Sequence, residues 1–244
     1  MNMETSNASS YRWTAAIVGI LFIIGTASGV LSLGFLETTH GALDMFKISA
    51  NENQLLIGAL LILIMAAACA STAFWMYPVL RNYSEALALG AVGFRLIEGM
   101  LMVITAICIV VLLTLSQEFV KAGAADSLYF QIFGVIIQAG SNWVFDVPRA
   151  LAWFTAALMY YYIFYRTKLI PRWITVWGLI GVTLSATAAV LGMFGLLDTS
   201  MATQLLMNFP IFLQEMVMAI WLIVKGFNTQ RSVTGHRQPA AVGE

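Results

Sequence analysis

Histidine is nearly missing from this sequence, which holds only His40 and His236. A membrane haem held by paired histidines is thereby excluded, and a zinc hydrolase site has too few imidazole donors. Cysteine is as scarce: Cys69 and Cys108 each lie inside apolar runs. Both read as small hydrophobes, with neither a disulfide nor a metal pair expected. No lysine interrupts the apolar runs, so a retinal Schiff base has no attachment point. Phosphate-cradling glycine loops and a Gly-x-Ser-x-Gly elbow are missing too. His40, beside Glu37 and Asp44, reads as a solvated loop residue. No metal, cofactor or catalytic residue is expected, and enzyme activity is the least supported class.

Charge is also in short supply. Only 10% of the 244 residues are charged and 60% are hydrophobic, against about 25% charged in ordinary soluble domains. Mean hydropathy is +0.85. The formal net charge is zero, which gives no reason to expect a nucleic-acid partner. What remains is an all-α, polytopic transmembrane bundle whose surroundings are membrane lipids.

Taken in order, residues 1–11 are polar and expected to be a disordered tail. Tyr11, Arg12 and Trp13 form an aromatic and basic anchor ahead of a first span over about 14–36. This span is too long for a signal-peptide core of about 7 to 15 residues, so it is expected to be retained. Gly25 and Gly29 give it a small-residue face for close packing. A polar connection leads to the second span, about 55–77. Ser84 caps the third span, about 86–115, with Glu85 in its first turn. The stretch 128–145 carries Gln131, Gly134, Gln138, Ser141 and Asn142 on one stripe. It is expected to be an amphipathic helix at the interface or over the bundle mouth. The rival is one long helix from Leu128 to Tyr165. Asp146 as cap and Pro148 in the first turn open a fourth span, about 147–165. The fifth and sixth follow, about 173–197 and 204–227, and then a polar tail over 228–244.

The tyrosine-rich run from Met159 to Tyr165 reads as an interfacial belt, as do Trp173 and Trp177. With six spans, one side of the membrane collects Arg12, Arg81, Arg166, Lys168, Arg172, Lys225, Arg231 and Arg237. The other has only Lys47 and Lys121. That asymmetry predicts that both termini are cytoplasmic.

Against this apolar background a few ionisable residues stand out: Arg95 and Glu98 on the third span, Asp146 and Arg149 on the fourth, and Glu215 on the sixth. An ionised group at mid-bilayer costs about 2.5 to 3.5 kcal/mol even on lenient insertion scales. Such groups therefore face the bundle interior, find partners or line a pathway. Arg95 and Glu215 each lie about 15 Å from the basic side at 1.5 Å per residue, which predicts that they pair across helices. Glu98 and Arg149, at about 20 and 24 Å, are expected to form a second pair. Asp146 is left near the far mouth. Two arginines against three carboxylates leave an extra negative charge unless one acid holds a proton. Gln214, Asn208 and Pro210 add polarity and a kink to the sixth span, as in discontinuous transporter helices; the favoured reading is a proline kink that simply packs.

Several stretches together resemble a known family. They are Arg12 to Gly19, Gly93-Phe94-Arg95-Leu96-Ile97-Glu98, Leu169 to Trp173 before Trp177-Gly178-Leu179, and Gln214-Glu215-Met216 with Ala219 to Phe227. In order and spacing they resemble the bacterial multi-span membrane family catalogued as domain of unknown function 4386, over about 12–227. The resemblance implies a single bacterial membrane domain and carries over no activity or site residues. The functional expectation is a ligand or ion site formed by Arg95, Glu98, Asp146, Arg149, Gln214 and Glu215. Through it the protein binds or moves a small solute, proton or lipid-like molecule, alone or as a homo-oligomer. The competing expectation is a non-transporting scaffold or regulatory subunit whose buried charges are structural. No inverted repeat is visible, which weighs against a repeat-built transporter.

Overall fold

The computed structural model describes residues 3–39, 43–123, 127–197 and 201–228. These form the helices α1 (Met3–Phe35), α2 (Met45–Ala50), α3 (Glu52–Leu80), α4 (Glu85–Lys121), α5 (Ser127–Asp146), α6 (Pro148–Thr167), α7 (Arg172–Met193) and α8 (Met201–Val224). A 3-10 turn follows α1, and there is no strand among the described residues. Six stretches are long and apolar enough to cross a membrane, with α5 and α6 counted together. The all-α bundle of six spans and one further amphipathic helix is therefore present.

The boundaries follow local chemistry. Ser84 caps α4 as expected, its hydroxyl accepting from the Leu87 N–H at 3.4 Å. The left-handed Lys168 ends α6, and buried Leu169 and Ile170 lead into Pro171 at the start of α7. Pro148 occupies the first turn of α6, but the cap residue is Val147 rather than Asp146, which is the last residue of α5. Helicity lapses only there: the Val147 N–H reaches back to Trp143 and the Leu151 N–H to Val147. Helix α1 begins at Met3, inside the stretch expected to be a disordered tail. The tail expected over 228–244 lies, after Asn228, outside the described residues, as do His40 and His236. The polar connection before α3 holds one element the sequence reading missed. In α2, Asp44 accepts from the Lys47 N–H at 3.0 Å, and Met45 and Ile48 are buried.

The spans close into a ring. Helix α1 packs along α3, α3 along α4, α4 along α6, α6 along α7, α7 along α8, and α8 back along α1. Glycine makes two of these seams close. A Cβ at Gly19 would come within 2.6 Å of the Ala219 carbonyl oxygen on α8. At Gly29 it would come within 3.0 Å of the Met65 sulfur on α3. Helix α5 packs mainly along the far half of α4, with lesser contact to α6. It turns part of its polar stripe inward: Gln138 and Ser141 are buried, Asn142 is half-buried and Gln131 is exposed, and the Gln138 amide donates to the Thr39 carbonyl at 2.5 Å. Leu128, Ile132, Phe133 and Ile136 are exposed on its other side.

Two apolar clusters fill the ring. The first lies towards the end carrying Arg81, Arg166, Arg172 and Lys225, and is built around Tyr160, Tyr161, Phe164, Leu80 and Met218. The second, towards the opposite end, joins Leu55, Ile62 and Ala66 of α3 to Met102, Ile109 and Leu113 of α4. The tyrosine run is thus divided. Tyr162 and Tyr165 are exposed and fit a belt, whereas Tyr160 and Tyr161 are fully buried core, a correction to the belt reading. Their rings meet at 4.7 Å, which gives that core its aromatic centre. Trp173 is exposed and stacks on Trp177 at 6.4 Å, as belt residues can.

Candidate functional site: a charged layer and a polar cavity

On α1, α3 and α4 the two apolar clusters are separated by a polar level. It holds Thr26 and Ser28 on α1, Thr72 on α3, and Arg95 with Glu98 on α4. Arg95 is 3% exposed and Glu98 1%. The Arg95 Nη1 donates to Glu98 Oε2 at 2.7 Å, a charge-assisted bond between residues one turn apart. This replaces the expected pairing. Arg95 does not bridge to Glu215, and Glu98 does not bridge to Arg149. Depth along the axis put the right groups at similar levels, but two residues three apart share a helix face and meet first.

Glu215 is half-buried on α8 and accepts from the Thr26 hydroxyl of α1 at 3.1 Å. Among the described residues no cation lies within 4 Å, the limit of a salt bridge, of this carboxylate. Two donors nearby are unused: the buried Arg95 Nε and the fully buried Tyr160 hydroxyl have no hydrogen-bond partner. Buried polar groups are nearly always satisfied, so these two donors are exceptions in the packing. Gln214 belongs to a different arrangement. Its Oε1 accepts from the Tyr161 hydroxyl at 2.8 Å and its amide donates to the Ile174 carbonyl at 3.1 Å. It ties α8 to α6 and α7, and it does not join Glu215.

Asp146 and Arg149 are set apart from the layer. They line a cavity of about 290 Å³ where α5, α6, α7 and α8 meet at the end opposite the basic one. Arg149 is half-buried. Its Nε donates to the Phe145 carbonyl at 2.8 Å, and its guanidinium sits 4.1 Å above the Phe145 ring. Ser185 of α7 donates to Asn208 of α8 beside it. The six residues expected to form one site thus divide: Arg95, Glu98 and Glu215 share a layer, Asp146 and Arg149 share a cavity, and Gln214 is a structural tie. Thr26, Tyr160 and Ser185 were missed. A hydroxyl in a span carries no signal of its own, because Ser and Thr commonly bond their own helix's carbonyls.

A closed ring of apolar helices around a charged layer defines a multi-pass α-helical membrane protein. The chain belongs to the family described as Domain of unknown function (DUF4386), which it matches over residues 17–226. No curated protein and no solved structure is found to match it.

Proposed function

We propose that this is a bacterial cytoplasmic-membrane protein, both termini cytoplasmic, that binds a proton or small solute at the charged layer and passes it across the membrane. The observation that carries this reading is the state of Glu215: a carboxylate inside the ring with a hydroxyl donor from Thr26 and no arginine bound to it. Arg95 and Glu98 cancel each other, so Glu215 is the group left to exchange a proton or hold a cation. The orphaned Arg95 Nε and Tyr160 hydroxyl supply donors for whatever arrives. The lysine and arginine asymmetry supports the orientation.

The test is proton flux in proteoliposomes carrying a trapped pH dye, with a potassium gradient and valinomycin to set the potential. The expected result is flux well above protein-free vesicles, falling to their level in Glu215→Gln. Flux at the protein-free level for the wild type overturns proton passage.

The scaffold reading has one observation in its favour, the Tyr161–Gln214–Ile174 tie across three helices. The buried ion pair does not help it. A bridge within α4 cannot specify which helix sits beside which.

A further inference from the structure

On the outside of the ring, α6 borders an open groove that neither the charged layer nor the polar cavity uses. Its volume is about 340 Å³, and it is lined by Leu87 of α4, Leu158, Met159, Tyr162 and Tyr165 of α6, and Leu179 of α7. The four α6 residues follow the i, i+1, i+4, i+7 spacing of one helix stripe. Leu158, Tyr162 and Tyr165 are exposed, so this stripe faces outward. Leu158 and Tyr165 are seven residues apart, about 10 Å of helix. The groove therefore reaches about two-thirds of the way through one leaflet's ~15 Å share of the ~30 Å hydrocarbon core. Its length and apolar lining suit a hydrocarbon chain lying along the helices.

The rim of the groove is basic. The Arg172 guanidinium stands 5.1 Å from the centroid of the Tyr165 ring, a lining residue. Arg166 comes one turn after Tyr162 on α6 and so shares its face. Both arginines are exposed, and neither ion pair among the described residues uses them. The carboxylate nearest in sequence to the lining is Glu85, two residues from Leu87, a spacing at which side chains do not face each other. Beside Arg172, Trp173 stacks on Trp177 at 6.4 Å and marks the headgroup level. An apolar groove with two guanidinium groups at its interfacial end complements a molecule that joins a hydrocarbon chain to an anion. The planar fork of arginine matches phosphate oxygens bidentately.

We propose that this groove is a site for one anionic glycerophospholipid, with an acyl chain along the α6 stripe and the phosphate held between Arg166 and Arg172. A zwitterionic lipid brings its own cation to the same rim, so the site selects by charge. It shares no residue with the charged layer and stands whether or not the protein passes protons.

The experiment is lipid retention. Full-length protein is extracted into detergent from vesicles of equal parts phosphatidylglycerol and phosphatidylcholine with identical chains, and its lipid adducts are counted by native mass spectrometry. At about 1 kcal/mol per basic residue near the surface, about five-fold each, two arginines give a preference of about 25-fold. The expected result is one phosphatidylglycerol per protein at about that preference, falling to about five-fold in Arg166→Gln and in Arg172→Gln. Leu158→Trp, which fills the groove and keeps both charges, is expected to abolish retention, and Lys47→Gln at the opposite end to leave it unchanged. The three groove positions are exposed on the outside of the ring, so these variants keep the wild-type melting temperature. Equal retention of the two lipids, an unchanged preference in either arginine variant, or full retention in Leu158→Trp overturns the proposal. Loss of the retained lipid to added inorganic phosphate overturns it too, because the rim would then hold an anion alone. So does a lipid-free dimer that Leu158→Trp breaks, which would seat a second copy of the chain in the groove.

Discussion

Arg95 takes its counter-ion from its own helix, Glu98 one turn away, and not from Glu215 of α8. Removing one member of a buried pair strands the other, at a cost of about 3–5 kcal/mol. Arg95→Gln and Glu98→Gln are each expected to lower unfolding stability in detergent by about that much, with the double variant recovering most of it. Additive losses in this cycle would show that the two residues do not act as a pair. The adjacent tyrosines should respond with opposite sign. Tyr161→Phe takes away the donor on Gln214 Oε1 and is expected to cost about 1–3 kcal/mol. Tyr160→Phe removes a hydroxyl with no partner, so its melting temperature should match or exceed the wild type. At this scale the sequence showed which residues were unusual, because a charge inside an apolar run cannot be hidden. It did not show their partners. Reckoning depth along the helix axis left out the direction in which each side chain points, and the three-residue spacing of Arg95 and Glu98 was the clue overlooked.

The elements were more legible than their contacts. Apolar run length gave the number of spans, six, and the Ser84 and Pro148 signals located two helix starts. Gly25 and Gly29 correctly marked a close face of α1, which meets α3, where Gly25 lies against Ala68 and Cys69. The tighter seam at Gly19 gave no warning, because a single glycine does not name the helix it will touch. There a methyl group would press on the backbone of α8, which cannot yield as a side chain can. Gly19→Ala is expected to destabilise by about 1–3 kcal/mol, in the manner of an overpacked core. Gly93→Ala, with open space around its Cβ position, should instead add up to about 1 kcal/mol from helix propensity. Thermal unfolding of the two variants side by side checks both signs. The stripe on α5 was read correctly as amphipathic, yet it is the polar side that the helix buries, since its neighbours offer the Thr39 carbonyl as a partner.

For the whole molecule, composition alone was enough to place the chain in a membrane, and the ring closed by α1 and α8 was beyond it. Orientation is open to direct measurement. With Cys69 and Cys108 replaced by serine, single cysteines at Lys47 or Lys121 should react with a membrane-impermeant maleimide added to intact cells. Cysteines at Arg81 or Arg166 should react only after lysis, and the opposite pattern inverts the proposed topology. Finally, the bridge within α4 has a consequence for how the protein is made. Spans leave the ribosome in order, and α8 follows α4 by three spans. Had Arg95 depended on Glu215, α4 would have waited in the lipid with a bare cation until α8 was made. Carrying its counter-ion one turn away, α4 partitions as a neutral segment as soon as it emerges. Helix α8 then completes an enclosure whose most expensive charges were cancelled three spans earlier.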